Sequence, residues 1–249
     1  MIDVKAQTSP LARTWRSLTD LHRELEATRW GYLILANVWP AYIFALPLLV
    51  RVWNLAQRTL HGAWAGSLHS QALLLQELVT VVFLGVIVLL FVLRRPVLGR
   101  RATWRAGLIA LLGTFLLNVV GFLPVESSAS TPAVLASSVV ITLGTLFTIW
   151  SLATLGRCFG LMPEVRGLVT RGPYRWVRHP VYLGELVSAL GMLIAKPHPA
   201  IFALYVAFVV LQYWRTTLEE DALAEVFPDE YPAYRARVSR LVPGWPRPS

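Results

Sequence analysis

Four apolar runs, Trp30–Val52, Leu73–Leu93, Ala106–Leu123 and Pro132–Leu155, constrain this chain more than any other feature. Each has roughly the twenty-residue length that carries a helix across a hydrocarbon core about 30 Å thick. Two shorter runs follow, Tyr182–Ala195 and Pro199–Trp214, separated by Lys196-Pro197-His198, a break that a helix does not readily continue through. They read as a helical hairpin that either crosses a thinned bilayer or dips in and returns. The expected fold is all-α: a polytopic membrane helical bundle of about six transmembrane helices, the last two a hairpin, with a cytoplasmic C-terminal helical tail.

Charge placement agrees with six passages. Basic residues cluster before the first run (Lys5, Arg13, Arg16, Arg23, Arg29), after the second (Arg94, Arg95, Arg100, Arg101, Arg105), after the fourth (Arg157, Arg166, Arg171, Arg175, Arg178) and after the hairpin (Arg215, Arg235, Arg237, Arg240, Arg247). The intervening loops hold only Arg51, Arg58 and Lys196. Twenty against three, alternating without interruption, is a positive-inside pattern with both termini cytoplasmic. It also excludes nucleic acid as the partner for the net charge of +9, because these charges flank apolar segments instead of forming one basic face. Anionic lipid headgroups are the expected partner.

The 55% hydrophobic and 15% charged composition, with a mean hydropathy of +0.55, fits an integral membrane protein, here expected in a bacterial inner membrane. Ten tryptophans suit the membrane boundary, where the indole body meets hydrocarbon and its N–H meets water. A single cysteine, Cys158, excludes an intrachain disulfide and a thiolate zinc cluster. His22, His61, His69 and His198 have no ligand spacing, so no metal is expected. Residues 1–29 mix acidic with basic residues and lack an apolar core, and so do not read as a signal peptide.

The chain divides loosely near residue 155. Residues 1–155 form a tail and four anchoring helices, whereas 156–249 are dense in polar, aromatic, Gly and Pro residues and carry the candidate chemistry. One constellation is Gly167-Leu-Val-Thr-Arg-Gly-Pro-Tyr-Arg-Trp-Val-Arg-His-Pro-Val-Tyr-Leu-Gly184. Gly172-Pro173 turns the chain, and Pro180 opens a helix whose N-terminal N–H groups favour anionic ligand groups. The other is Arg215-Thr-Thr-Leu-Glu-Glu-Asp221, followed by Phe227…Tyr231…Tyr234 and Val242-Pro243. On a helix leaving the membrane, Arg215, Glu219 and Glu220 share neighbouring turns, where polar groups are costly unless paired or used.

These two strings, in this order and around a hairpin, resemble the isoprenylcysteine carboxyl methyltransferases and their bacterial relatives. The resemblance covers about residues 155–243. It implies an S-adenosyl-L-methionine cofactor at the cytoplasmic face and a lipophilic acceptor arriving from the bilayer. It also implies cofactor-binding residues at Leu168, Val169, Gly172, Pro173, Tyr174, Arg178, His179, Pro180, Tyr182, Gly184, Glu219 and Glu220, with Arg215 as the catalytic residue. The chain has no Gly-x-Gly-x-x-Gly after a strand, so a Rossmann-type methyltransferase site is not expected. A carboxylate acceptor is ionised at neutral pH, and Arg215 would hold it through a bidentate pair of hydrogen bonds.

Two departures stand out. Pro228 follows Phe227 where related sequences commonly have Gly, and Pro232 interrupts the next stretch, which leaves the tail geometry and the roles of Tyr231 and Tyr234 open. A sterol-type NADPH-dependent membrane reductase shares an Arg-His-Pro hairpin region but typically has Asn where this chain has Val181. Methyl transfer to an aminophospholipid or a thiol, and a membrane scaffold without catalysis, stay open at the level of sequence.

Overall fold

The computed structural model describes residues 37–62, 67–99, 103–124 and 130–244. Among them the chain is helical: α1 is Trp39–Leu60, α2 Leu68–Leu93, α3 Trp104–Phe115, α4 Thr131–Leu155, α5 Pro180–Ala195, α6 Pro199–Val226 and α7 Glu230–Arg235. Five of these segments are long and apolar enough to cross a membrane, counting α3 together with the 3₁₀ turn Leu116–Phe122 that continues it. The sixth, α5, has sixteen residues, about 24 Å of helix. This is a polytopic membrane bundle whose last two passages form a hairpin.

Local chemistry sets the boundaries. Ser67 and Ser70 form a reciprocal capping box at the start of α2, and Thr103 caps α3 through the Ala106 N–H. Pro132, Pro180 and Pro199 stand in the first turns of α4, α5 and α6, where a missing N–H costs nothing. Gly156, at φ +55°, ends α4 in a conformation that penalises any side chain. The leading residues of the hydropathy run that starts at Trp30 lie outside the described part, and α1 covers the run from Trp39. The last long helix leaves the apolar run as a helix, as the spacing of Arg215 and Glu219 implies. The apolar run stops at Trp214, but α6 continues three turns to Val226, so Arg215, Glu219 and Glu220 belong to the hairpin's second helix itself.

The packing is that of a protein in lipid. Large apolar side chains point outward, with Leu49, Trp53 and Leu143 all at least 60% exposed, while Ser137, Ser138, Thr142, Thr148 and Ser151 of α4 are buried. Lipid gives no hydrophobic reason to pair helices, so close backbone approach has to supply the attraction. Here α4 and α5 meet through Gly144, Gly184, Ser188 and Gly191. A Cβ added at Gly184 would collide with Thr148 Oγ1 and lie 2.8 Å from the Gly144 carbonyl. On the other side of α4, α1 and α2 build an aromatic core in which Phe44 stacks on Phe91 at 5.6 Å and Phe91 meets the edge of Phe159 at 5.2 Å. The Arg51–Glu77 ion pair, at 2.8 Å, ties α1 to α2.

Candidate active site

The segment between α4 and α5 is held from three directions. The linker after α2 pins its beginning, with Leu98 N–H donating to Val165 O at 2.7 Å and Arg166 Nη1 donating to Arg95 O at 2.5 Å. A 3₁₀ turn at Gly172–Arg175, with Gly172 at φ +58°, turns Tyr174 inward. The C-terminal tail covers its end: Arg178 N–H donates to Ser239 O at 2.8 Å, His179 N–H to Arg240 O at 3.1 Å, and Tyr234 OH to Tyr174 O at 2.7 Å. Pro228 and Pro232 do not prevent this. Pro232 is the third residue of α7, inside the first turn, where no N–H is needed.

The two constellations meet directly. Glu220, 2% exposed, accepts from Arg178 Nε at 2.9 Å, from Arg240 Nη2 at 2.8 Å and lies 3.1 Å from His179 Nε2. Three basic groups surround one carboxylate, a geometry that repays the cost of burying charge only because every oxygen is used. Burial works against the Arg240 charge, but its hydrogen bonds to Glu220 outweigh that and hold the guanidinium protonated. Glu219 lies on another face of α6. Its carboxylate accepts from Tyr182 OH and stands 3.7 Å from His179 Nδ1. Arg215 lies over the Tyr182 ring at 4.8 Å, and gives Nη1 to Gln212 Oε1 at 3.1 Å and Nη2 to Leu161 O at 3.2 Å. Its Nε is buried with no partner among the described residues.

These groups close one end of a cavity of about 760 Å³, within the range of about 300–1,000 Å³ that holds small molecules. Of the residues expected to bind the cofactor, Leu168, Val169, Tyr174, Arg178, His179, Tyr182 and Glu219 line it, together with Arg215. Gly172, Pro173, Pro180, Gly184 and Glu220 stand behind the wall. Gly172 and Pro173 shape the turn, Gly184 packs against α4, and Glu220 holds the clasp. Beyond Arg215 the lining is mainly apolar, with Phe44, Phe83, Leu84, Ile87 and Phe208, interrupted by polar groups such as Thr80 and Asn118. The cavity follows α5 from His179 to Lys196, about 25 Å.

Sequence reasoning left open or missed several members. Tyr231 and Tyr234 line the cavity from the tail, and Tyr231 OH is buried without a partner. Burial raises both phenols above their ordinary value, and burial together with the Glu219 charge raises Tyr174. All three therefore remain protonated donors. Glu185 also lines the cavity and accepts from Gln212 Nε2. Its signal was present, because it is the sole charged residue between Tyr182 and Ala195, and an ionisable group within a membrane helix is a functional candidate by default.

Residues 132–230 match the phospholipid methyltransferase family. Among curated proteins, the chain is 33% identical over 111 residues to protein-S-isoprenylcysteine O-methyltransferase B of Arabidopsis thaliana, covering 42% of this chain and 56% of that one. It is 36% identical over 74 residues to methanethiol S-methyltransferase 1 of Bradyrhizobium diazoefficiens, covering 30% of this chain and 25% of the relative. The human protein-S-isoprenylcysteine O-methyltransferase is 35% identical over 82 residues, 32% of this chain and 28% of that one. The matches thus span from a quarter to just over half the length of these relatives. A solved eukaryotic isoprenylcysteine carboxyl methyltransferase superposes with a TM-score of 0.45 at 19% identity, over 95% of this chain and 87% of that one. The segment 132–230 thus resembles the phospholipid methyltransferases, and the curated proteins similar to it include isoprenylcysteine O-methyltransferases, in keeping with the motifs.

Proposed function

We propose that this protein is an integral membrane methyltransferase that transfers a methyl group from S-adenosyl-L-methionine to a lipophilic acceptor, with a carboxylate of the isoprenylcysteine kind as the acceptor group. The observation that carries this reading is Arg215. Its guanidinium lines the cavity between an acidic end, Glu219 with Tyr182, and a largely apolar chamber inside the bundle, and its buried Nε–H has no partner among the described residues. An unpaired buried donor is expensive, and a ligand carboxylate is the partner that suits its fork.

The residues fit the cofactor. Glu219 offers a carboxylate for an amino or ribose hydroxyl group, Tyr174 and Tyr231 offer rings and protonated hydroxyls, Tyr234 offers its ring, and Leu168 and Val169 offer apolar contact. When bound, the cofactor supplies a methyl already activated on a sulfonium. What remains for the protein is alignment and exclusion of water. Arg215 holds the acceptor group, Tyr182 supports the guanidinium from below, and the Glu220 clasp keeps the Arg178–His179 strand closed over the acidic end. No residue has to remove a proton from an ionised carboxylate.

The basic clusters support an orientation with this end of the cavity and both termini in the cytoplasm of a bacterial cell. The name of the Bradyrhizobium relative supports a second acceptor, a thiol. The test is methyl transfer by purified protein in lipid nanodiscs with tritiated S-adenosylmethionine, offered N-acetyl-S-farnesylcysteine, methanethiol or phosphatidylethanolamine. Methyl ester formation on the first supports the proposal. Transfer to either of the others alone would replace the carboxylate, and failure to bind S-adenosylhomocysteine by calorimetry would remove the cofactor.

A further inference from the structure

Gln212 is wholly buried on α6, three residues before Arg215, and both ends of its amide are committed. Nε2 donates to Glu185 Oε2 on α5, and Oε1 accepts from Arg215 Nη1 at 3.1 Å. An amide carries its donor and acceptor on different atoms, so a partner that fixes one fixes the other. An ionised Glu185 can only accept, and it therefore obliges Gln212 to turn its NH₂ toward α5 and its oxygen toward Arg215. Without that constraint the amide can rotate and set NH₂ against guanidinium, donor against donor. Leu161 O takes Nη2, so Gln212 and Leu161 together fix how the Arg215 guanidinium is set in the wall of the cavity that it lines.

We infer that Glu185 is a positioning residue that acts through Gln212 to orient Arg215 toward the acceptor. The inference rests on the reading of Arg215 as the acceptor-binding group. It assigns a purpose to a carboxylate set within an apolar helix, where it would otherwise be a cost. The sequence separation, 27 residues between Glu185 and Gln212, places the two on opposite arms of the hairpin, so the relay also couples the register of α5 and α6 to the aim of the guanidinium.

The experiment exchanges the two residues. Wild type, Glu185→Gln, Gln212→Glu and the double exchange are prepared as full chains in nanodiscs and assayed with N-acetyl-S-farnesylcysteine and tritiated S-adenosylmethionine. Glu185→Gln lowers kcat about tenfold with the KM for S-adenosylmethionine within about twofold of wild type. Gln212→Glu sets two carboxylates face to face and loses more. The double exchange lets Gln donate from position 185 to Glu at position 212, which still accepts from Arg215, and it recovers kcat to within about threefold of wild type. Recovery supports the relay. A double exchange no better than the worse single variant, or full kcat in Glu185→Gln, overturns it.

Two further readouts keep the outcomes separate. If Gln212→Glu does not fold, Glu185→Gln is compared in the Gln212→Leu background. No additional loss supports the relay, and a repeated tenfold loss shows Glu185 acting directly and overturns it. The Arg215 Nε–H resonance, assigned by its loss in Arg215→Lys, reads the guanidinium without turnover. It should shift in Glu185→Gln and return in the double exchange. That pattern in a protein that methylates none of the acceptors supports the relay and counts against the proposed function alone, and an unshifted resonance counts against the relay alone.

Discussion

Glu219 and Glu220 are neighbours on α6, yet their carboxylates serve different sides of it: Glu219 takes the Tyr182 hydroxyl at the cavity, and Glu220 is enclosed by Arg178, His179 and Arg240 behind the wall. Successive residues of a helix point about 100° apart, so one acidic pair supplies both a cavity-facing group and a fastener. The fastener joins three separated pieces of chain, the end of the 156–179 segment, the hairpin's second helix and the C-terminal tail.

The two glutamates should therefore separate by phenotype. Glu220→Ala leaves Arg178 and Arg240 without their shared counter-ion, and removing one partner of a buried ion pair costs about 3–5 kcal/mol. Thermal unfolding in detergent should show a clearly lowered midpoint, with S-adenosylhomocysteine binding weakened because Arg178 and His179 lose their anchor. Equal midpoints for Glu220→Ala and wild type would contradict the clasp.

Glu219→Ala should do the reverse. The side chain is partly exposed to the cavity, so its loss costs little in folding, whereas a ligand that uses it loses a charge-assisted hydrogen bond worth about 1.5–3 kcal/mol. Calorimetry should show S-adenosylhomocysteine binding at least about tenfold weaker, at an unfolding midpoint near that of wild type. Unchanged affinity would take Glu219 out of the cofactor site.

Arg215→Ala should spare cofactor binding and remove turnover on a carboxylate acceptor by at least about a hundredfold, the scale of losing a preorganised charged donor. Arg215→Lys should not restore it, because an ammonium cannot satisfy Gln212, Leu161 O and a ligand with the planar fork that the guanidinium provides. Full activity of either variant on the true acceptor would end the role given to Arg215.

Hydropathy located the membrane helices because lipid forces long apolar stretches, and the motif order placed the site at the base of the hairpin. What stayed hidden was tertiary. The apolar signal ends at Trp214, and the spacing of Arg215 and Glu219 reads as a helix leaving the membrane, but how far α6 runs on, through Leu218, Ala222 and Leu223 to Val226, is not marked by composition. Arg240 counted as one more basic residue of the tail, because nothing local announces that it reaches back 20 residues to Glu220. Gln212 and Glu185 were single polar residues within apolar runs, and their pairing depends on the hairpin's register, which composition does not encode.

Gly184 illustrates the same limit and supports a last prediction. Its place in the Arg-His-Pro string implies contact with the cofactor, but its Cα faces α4 and does not line the cavity. A methyl group there would collide with Thr148 Oγ1 and meet the Thr148 nitrogen at 2.9 Å and the Gly144 carbonyl at 2.8 Å. The last two are backbone atoms, which cannot swing aside, so Gly184→Ala has to push α4 and α5 apart. Overpacking of this kind costs about 1–3 kcal/mol, and it displaces Tyr182 and Glu185, which share the first turns of α5. The variant should lose both stability and turnover. Gly85→Ala, in α2, has nothing within 4 Å of the added carbon and should be neutral or slightly stabilising, since alanine is the better helix former by about 1 kcal/mol. Thermal unfolding of the two variants in parallel checks this, and a stable, active Gly184→Ala protein would show that α4 and α5 are not packed as tightly as their glycines allow.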